Sequence, residues 1–514
     1  MGDRRGSVFL VGAGPGAFDL ITLRGADCLK QADCVVYDAL VNPELLQLAP
    51  SQAELIFAGK RRNGGASIAQ GELNALLIDR ARKGKRVVRL KGGDPFIFGR
   101  GGEEADALAR AGIHFEVIPG ITSAIAAPAF AGIPLTHRKL GSYVAFVTGH
   151  EDQNKAGSKR VPWRELARAA RNGGTIVVLM ASTRMAASLT SLTRAGLPAQ
   201  TPAAAVQWGT TAAQKTVVAT VATLAARCAR ENLTAPAVLV AGQSVKLREH
   251  LKWFEKLPLF GRRIVVTRAR EVSTAFAREL RTLGADAIEF PTIETARTAS
   301  YAALDEAIDH IDQFNWIIFT SATGVDAFIA RLKVLRRDIR AIGHASLCAI
   351  GPATAVRLEQ YALQVAAVPR EYRAEAIVPA IGAERIRDAR ILIPRAQVAR
   401  EILPELLRDH GASVVTVAPA YRTIKPKPAG LQRMRELIKA RQIDLVTFTS
   451  SSTVSNFCDL VGNVEGLKAA AIGPITAETA RKHGFEVAVS PASYTVPALI
   501  EAIEGFFARA SQSI

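Results

Sequence analysis

The chain has 514 residues, of which 49% are hydrophobic and 22% are charged, and this composition excludes an intrinsically disordered protein. At about 100–200 residues per domain, the length indicates three or four globular units. The formal net charge of +18 is compatible with a solvated basic surface, with a nucleic-acid partner or with a small polyanionic substrate, and charge alone does not choose between them. The sequence contains no zinc-finger spacing, no aromatic RNA-binding strand and no long basic run, so a nucleic-acid partner is not expected.

The five cysteines form no CxxC pair, which favours reduced thiols and predicts neither a metal site nor a redox pair. No apolar stretch approaches the ~20 residues that a membrane-spanning helix needs. The first strand-like run follows Met1 closely, without the apolar region of a signal peptide. We therefore expect a cytoplasmic protein without a membrane partner.

Short apolar runs alternate with helical patterns along the whole chain. Examples of these runs are residues 8–11, 87–90, 175–179, 264–266, 317–319 and 391–393. Runs of this length, bounded by Gly or Pro, are typical of buried parallel strands. The pattern predicts an α/β architecture throughout.

A charged segment divides the chain near its middle. Trp253 and Phe254 interrupt its charges, and Pro258 and Gly261 close it. This composition predicts a short helix and a linker at residues 246–261. The predicted domains on either side are residues 6–245 and 262–512.

The second half of the chain repeats itself. Three pairs of segments match in the same order at offsets of 129, 122 and 127 residues: FTSATGVDAF at 319–328 with FTSSSTVSNF at 448–457, AIGPATA at 349–355 with AIGPITA at 471–477, and IVVTRA at 264–269 with ILIPRA at 391–396. Solenoid repeats have much shorter periods. The repeat therefore predicts two similar α/β lobes with a ligand site in the cleft between them.

The first glycine motif, GAGPGA at residues 12–17, directly follows the first strand-like run. It fits the GxGxxA fingerprint of dinucleotide-binding enzymes, and Asp38 lies near the position of their ribose-binding acid. Two residues argue against a dehydrogenase. Pro15 lacks the N–H that a pyrophosphate-binding loop would use, and Lys60 has no role in such an enzyme.

The second motif, RLKGGDPFIFGRGGEE at residues 89–104, contains five glycines that allow the backbone to approach a ligand closely. Asp94 is suited to accept hydrogen bonds from ribose hydroxyls or an ammonium group. A tight strand-to-helix turn, with Glu103 and Glu104 as acids in the first helical turn, explains the same residues equally well.

Together with later motifs, these two resemble the tetrapyrrole methylase family, and within it the uroporphyrinogen-III C-methyltransferases. The later motifs are VIPGITSA at 117–124 followed by GIPLTHR at 132–138, VLMA at 178–181, and QWGTT at 207–211. The resemblance covers residues 6–245. One departure is Ala17, where members of the family often carry an acid.

The resemblance implies two α/β lobes with S-adenosylmethionine folded between them, usually in a homodimer. It implies cofactor contacts at Pro15, Gly92, Gly93, Asp94, Ile97, Thr122, Ser123, Met180 and Gly209. It also implies that Asp38 is a proton acceptor and Lys60 a proton donor. Without the resemblance, Asp38 would be interpreted as a helix cap, Lys60 as part of a solvated basic loop, and Met180 as a core residue.

Residues 262–512 resemble uroporphyrinogen-III synthase, through the repeated segments and YRT at 421–423. That family closes hydroxymethylbilane into a ring without a cofactor, and has two α/β lobes joined by a two-stranded connector. The resemblance implies a crossed arrangement, in which residues 262–292 join 424–514 and residues 296–418 form the other lobe. A departure is Ala269, where proline is common.

The synthase-like half contains no obvious nucleophile–base pair, so positioning of the substrate is its expected contribution. Hydroxyls near helix starts are candidates for holding carboxylates, with Tyr421 as the catalytic candidate. These substrate-binding candidates are Ser321, Thr354, Ser450 and Thr476. Ordinary helix capping accounts for them equally well.

Both resemblances combine into one expected function. The second half would convert hydroxymethylbilane into uroporphyrinogen III, and the first would methylate that product twice to give precorrin-2. A polycarboxylate of this kind suits the basic net charge. Two alternatives remain: a methylase that acts on a later corrin precursor, and a second half that binds a tetrapyrrole or a partner without catalysis.

Overall fold

The computed structural model describes residues 6–59, 68–149, 161–371, 373–398, 402–426 and 430–512. The chain divides into two compact units. Unit 1 consists of Met1–Ile264, Arg278–Ala287 and Glu504–Ile514, and unit 2 consists of Val265–Ala277 and Ile288–Ile503. The domain boundaries predicted at residues 245 and 262 stay predictions.

A parallel sheet forms the first lobe of unit 1. Its strands are β1 (Ser7–Gly12), β2 (Cys34–Tyr37), β3 (Glu54–Phe57), β4 (Arg86–Lys91) and β5 (His114–Ile118), in the order β3-β2-β4-β1-β5. The helices of this part of the chain are α1 (Leu23–Lys30), α2 (Gln70–Arg82), α3 (Gly101–Arg110) and α4 (Ser123–Phe130). Alternate residues of β1 fill two cores: Phe9 packs in the core on one face and Val8 in that on the other. Because all strands run the same way, the loops after them meet at one edge.

The second lobe has a mixed sheet. Its strands are β6 (Val144–Thr148), β7 (Thr175–Leu179), β8 (Pro202–Gln207), β9 (Lys215–Thr220) and β10 (Ala237–Ala241), in the order β6-β7-β10-β8-β9. The helices are α5 (Trp163–Arg171), α6 (Met185–Arg194), α7 (Leu224–Arg230) and α8 (Arg248–Leu251). The expected parallel pairing holds for β6 with β7, whereas β7–β10, β10–β8 and β8–β9 are antiparallel. Strands β8 and β10 are buried along their whole length, and such runs carry no signal of strand direction.

The segment predicted as a linker belongs to unit 1. The predicted short helix is present as α8, between 3-10 turns at Gln243–Leu247 and Phe254–Lys256. Arg248 pairs with Glu255 at 2.5 Å, and the ring centroids of Phe254 and Phe130 lie 4.8 Å apart. The aromatic residues among the charges of this segment are therefore packing groups.

Ten strands follow in the described part of the second half. They are β11 (Arg263–Val266), β12 (Asp286–Glu289), β13 (Glu294–Ala296), β14 (Trp316–Phe319), β15 (Ser346–Ala349), β16 (Arg390–Ala396), β17 (Val414–Ile424), β18 (Leu445–Phe448), β19 (Lys468–Ala471) and β20 (Glu486–Val489). They form two sheets, β13-β17-β16-β14-β15 and β12-β11-β18-β19-β20. This is the crossed arrangement that the resemblance implied. The antiparallel pair of β13 with the end of β17 corresponds to the expected connector.

The helices of the second half are α9 (Arg270–Thr282), α10 (Ala302–Asp309), α11 (Ala322–Val334), α12 (Pro352–Glu359), α13 (Ile377–Ile381), α14 (Ala383–Ile386), α15 (Ile402–Asp409), α16 (Leu431–Lys439), α17 (Ser451–Val461), α18 (Pro474–Lys482) and α19 (Val496–Gln512). Among the described residues, α19 is the longest helix at 17 residues. None of the helices that the structure describes is long and apolar enough to cross a bilayer.

The internal repeat is visible in the two sheets. In one, β14 leads to Ser321, which caps α11; in the other, β18 leads to Ser450, which caps α17. The repeated phenylalanines also pack alike, because the Phe319–Phe328 centroids lie 5.5 Å apart and the Phe448–Phe457 centroids 5.8 Å apart. The sequence repeat therefore reflects two similar strand–helix units.

We expect the native thiols to react slowly with Ellman's reagent at pH 8. All five cysteines are free, and four of them are buried. Burial raises the pKa of Cys348 to about 12, and burial together with Glu54 raises that of Cys34 to about 11. Since the thiolate is the reactive form, at most the partly exposed Cys458 should react before unfolding in guanidinium releases all five. Rapid reaction of two or more thiols in the native protein would contradict this packing.

Candidate functional site

Glycines allow the backbones of the loops at the ends of β1, β4 and β5 to come into direct contact. Gly14 and Gly93 form an antiparallel bridge, in which the Gly93 N–H donates to the Gly14 carbonyl oxygen at 2.7 Å. A Cβ atom on Gly12 would lie 2.5 Å from Cα of Gly120, and one on Gly120 would overlap the Gly93 carbonyl oxygen. Backbone therefore packs directly on backbone at this edge of the sheet.

Asp94 holds two of these loops. Its Oδ1 accepts hydrogen bonds from the N–H groups of Phe96 (2.8 Å) and Ile97 (3.1 Å), and its Oδ2 accepts one from Gly120 (3.0 Å). The predicted role of Asp94 in ligand binding stays a prediction. The structure adds that both carboxylate oxygens already shape the loops, which explains why an acid follows the two glycines.

The start of α4 lies beside Gly93. A Cβ on Gly93 would be 3.7 Å from Cα of Thr122 and 3.8 Å from the backbone nitrogen of Ser123, with nothing nearer. Thr122 is the N-cap, and its Oγ1 accepts from the N–H of Ala124 at 3.3 Å. The positive end of the helix dipole at this N-terminus favours a negatively charged or oxygen-rich ligand group here.

The second lobe reaches this edge through the loop after β8. A Cβ on Gly209 would lie 2.8 Å from Cα of Ala127 in α4, so only glycine allows this approach without rearrangement. The N–H of Ala17 donates to Oγ1 of Thr210 at 3.1 Å. The Pro15 loop, α4 and Gly209 are therefore brought together, and their predicted contacts with a cofactor stay predictions.

Met180 and Ile97 supply apolar surface. Both side chains are exposed, Met180 by 45% and Ile97 by 38%. Met180 follows β7, has a φ of 54°, and comes directly after Leu179, which packs in the same cluster as Ala127 of α4. Its exposure argues against the alternative interpretation of Met180 as a core residue.

Asp38 is held by a buried arginine. Nη2 of Arg89 donates to Oδ1 of Asp38 at 2.6 Å, and the Asp38 side chain keeps 31% of its surface exposed. Asp38 caps no helix among the described residues, because the next helical turn, Pro43–Leu48, has Asn42 as its N-cap. Leu40, two residues on, lies against Gly92, which places this loop beside the predicted cofactor contacts. Lys60, the predicted proton donor, lies outside the described residues.

The sequence analysis missed the residues behind Asp38. Arg89 and Lys91 of β4 are both only 3% exposed, and both contact the fully buried Glu104 of α3. The sequence did contain an indication of this cluster, because two charged side chains in a central strand of a buried sheet need counter-ions. Burial, followed by the neighbouring Arg89, lowers the pKa of Lys91.

This edge of unit 1 suits a cofactor with polar and apolar parts. Gly93 lies against the start of α4, where a Cβ would already contact Thr122 and Ser123, and Ile97 and Met180 offer exposed apolar surface. Those features fit the carboxylate, ribose and base of a nucleoside-linked amino acid. In the part of the chain that the structure describes, no three His, Cys, Asp or Glu side chains are placed to share a metal ion.

In unit 2, the structure brings Ser321 and Tyr421 together. Their hydroxyls lie 3.1 Å apart, and Oγ of Ser321 also accepts from the N–H of Gly324 at 3.0 Å. Pro394 at the end of β16 adjoins Gly324, since a Cβ there would lie 3.1 Å from the Pro394 carbonyl oxygen. Ser321 therefore caps α11 and binds Tyr421 at the same time, so capping and function do not exclude each other.

The other three hydroxyl candidates each lie at the start of a different helix. Thr354 and Thr476 are buried, each in the first turn of a helix whose N-cap is a glycine. Ser450 caps α17 and lies 3.0 Å from the Ser452 hydroxyl. Their predicted contacts with substrate carboxylates stay predictions.

Comparison with known proteins matches two parts of the chain to two families. A family model described as tetrapyrrole (corrin/porphyrin) methylases matches residues 7–225, and one described as uroporphyrinogen-III synthase HemD matches residues 274–501. The porphyrin biosynthesis protein HemD of Ruminiclostridium josui is 37% identical over 499 residues, which cover 96% of this chain and 97% of that protein.

Two further relatives resemble smaller parts of the chain. A uroporphyrinogen-III C-methyltransferase of Bacillus subtilis is 39% identical over 365 residues, or 71% of this chain and 74% of the relative. The crystal structure of the Thermus thermophilus uroporphyrin-III C-methyltransferase complexed with S-adenosylhomocysteine has 36% identity and a TM-score of 0.39, covering 47% of this chain and all of that one. The chain therefore belongs to the HemD family of porphyrin biosynthesis proteins, and it carries a tetrapyrrole methylase segment followed by a uroporphyrinogen-III synthase segment.

Proposed function

We propose that the methylase segment transfers two methyl groups from S-adenosylmethionine to uroporphyrinogen III, giving precorrin-2. The observation that carries this proposal is the position of Asp38. It is a partly exposed carboxylate on a buried arginine, in a loop that lies against Gly92 at the glycine-built edge. The membership of the chain in a family of tetrapyrrole methylases supplies the substrate class.

When bound, S-adenosylmethionine supplies an electrophilic methyl group on a sulfonium. Gly93, Thr122 and Ser123 would hold its polar parts, and Ile97 and Met180 its apolar parts. The chain then has to align a pyrrole carbon with that methyl group, which accounts for much of the rate in such reactions. Asp38 stabilises the positive charge that the attacked ring acquires, and it accepts the proton that the ring loses.

The synthase segment, on this proposal, converts hydroxymethylbilane into uroporphyrinogen III, the substrate of the methylase segment. Ring closure needs the chain to hold a flexible polycarboxylate in one conformation. The Ser321–Tyr421 pair lies beside the N-terminus of α11, whose dipole favours a carboxylate of the substrate. A second half that binds tetrapyrroles without catalysis is the alternative that the first experiment addresses.

The test is mass spectrometry on the purified chain given hydroxymethylbilane and S-adenosylmethionine. A doubly methylated tetrapyrrole of the type III isomer is the expected product. Unmethylated type III product would contradict the methylase proposal alone. The spontaneously formed type I ring, methylated or not, would contradict the synthase proposal and favour the non-catalytic alternative.

Replacing Tyr421 by phenylalanine is expected to slow the formation of type III product about tenfold. A tenfold loss corresponds to about 1.4 kcal/mol, which is the net contribution of one hydrogen bond. The matched control is Tyr361→Phe, which removes a similar bond to Asp326 at 3.0 Å elsewhere in the same lobe. Equal losses in the two variants, measured by separating the isomers chromatographically, would refute a role for Tyr421 in ring closure.

A further inference from the structure

A buried cluster of charges lies behind Asp38, between β4 and α3. Oε1 of Glu104 accepts hydrogen bonds from Nζ of Lys91 at 2.7 Å and from Nε of Arg89 at 3.3 Å. Gln70 of α2 donates to the same oxygen at 3.4 Å. The other oxygen, Oε2, is buried and has no hydrogen-bond partner among the described residues.

Stability does not explain this cluster. Removing charges from water costs several kcal/mol per ion, and a buried pair often contributes no more than an apolar replacement would. The unpartnered Oε2 of Glu104 adds to that cost. A carboxylate placed only for its hydrogen bonds would use both oxygens, whereas Glu104 concentrates its donors on one. Its charge, opposite Arg89 and Lys91, is therefore the property that matters.

The charges balance only when Asp38 is included. Arg89 and Lys91 lie two residues apart in β4, and Glu104 compensates one of their two positive charges. Asp38 compensates the other through Nη2 of Arg89. Arg89 donates to two carboxylates from different nitrogens: Nε donates to Glu104, and Nη2 donates to Asp38.

We propose that Glu104 and Arg89 are positioning residues for Asp38 in methyl transfer, an inference that rests on the proposed function. Glu104 fixes the guanidinium of Arg89, which holds Oδ1 of Asp38. Oδ2, to which no residue in the described ranges donates a hydrogen bond, is left for the substrate. Without Glu104, Asp38 would face two buried cations and would be drawn towards them.

The test is a double-mutant cycle on the full chain with Glu104→Gln, Asp38→Asn and the double variant. Methyl transfer from tritium-labelled S-adenosylmethionine to uroporphyrinogen III gives kcat and KM. Glu104→Gln is expected to lower kcat about 10- to 100-fold in the wild-type background, because misplacement of a reacting group by about 1 Å has effects of that size. In the Asp38→Asn background the same change is expected to lower kcat less than about threefold, with both KM values nearly unchanged.

If Glu104 had a purely structural role, Glu104→Gln would lower kcat by the same factor in the wild-type and Asp38→Asn backgrounds. That result would overturn the inference. Asp106→Asn is the control, since it removes an exposed acid of α3 that pairs with Arg110. Should Glu104→Gln fail to fold, Arg89→Lys completes the same cycle, because an ammonium has no second donor end to reach both carboxylates. A wild-type chain that transfers no methyl group would overturn the proposed function and this inference together, whereas a working wild type with multiplying losses would overturn this inference alone.

Discussion

Replacing Asp38 by asparagine is expected to lower kcat for methyl transfer by about 100- to 10,000-fold, the range for loss of a positioned acid–base group. The amide has nearly the same shape as the carboxylate, but it carries no charge and cannot accept the proton that the ring loses. Arg89 would keep its position through Glu104, so the loops of the cofactor edge should be little disturbed. We therefore expect the affinity for S-adenosylhomocysteine, measured by titration calorimetry, to change by less than about threefold.

The matched control for that experiment is Asp27→Asn. Asp27 is an exposed acid of α1 that pairs with Lys30, away from the glycine loops. It should retain wild-type kcat, since a surface ion pair contributes less than about 1 kcal/mol to stability. A kcat for Asp38→Asn within about threefold of the wild type would show that this carboxylate neither accepts a proton nor stabilises charge.

The meeting of the glycine loops at one edge of the first sheet could be predicted from the sequence because its determinants are local. Glycines at positions 12, 93 and 120 lie at the end of, or shortly after, a strand-like run, and parallel strands place their following loops at one edge. The approach of Gly209 to Ala127 was harder to foresee, because it joins two lobes. There the family resemblance, rather than the physics of the segment, gave the prediction.

Glu104 shows what local patterns do not reveal. Acids in the first turn of a helix are usually solvated, and its neighbour Glu103 fits that rule with an exposed pair to Arg100. Whether Glu104 is buried depends on how α3 packs against β4, which the helix sequence alone does not encode. The informative residues were Arg89 and Lys91, two charged side chains among the buried apolar residues of β4.

The parallel direction predicted for the strands was wrong for three pairs of the second lobe, for a similar reason. Strand β10 has both faces covered, and its sequence AVLVA is compatible with parallel and antiparallel neighbours alike. In the second half, by contrast, the repeat correctly predicted two similar units, because each keeps its serine cap and its packed phenylalanines. The crossing of the chain came from the resemblance, and the sheet orders show it, because β11 and β12 join β18, β19 and β20 rather than β13 to β17.

Replacing Gly120 by alanine is expected to weaken S-adenosylhomocysteine binding about ten- to hundredfold. The added methyl group would overlap the Gly93 carbonyl oxygen and lie 2.7 Å from Cα of Gly12, so backbone has to move on two sides. Overpacking of this kind costs about 1–3 kcal/mol. The loops can relieve this overlap by separating, but they would have to close again for the ligand to bind. Closure would then weaken binding, and each 1.4 kcal/mol corresponds to a tenfold loss of affinity.

Gly71→Ala separates this effect from the general consequences of losing a glycine. Gly71 lies in the first turn of α2, and a Cβ there would meet nothing within 4 Å. Alanine is the better helix former, so this variant should unfold at the same temperature as the wild type or higher, with unchanged affinity for the ligand. Titration calorimetry of the two variants side by side decides the matter. If Gly120→Ala bound S-adenosylhomocysteine as tightly as Gly71→Ala does, the meeting point of Gly12, Gly93 and Gly120 would be a packing feature of the sheet edge rather than part of the cofactor site.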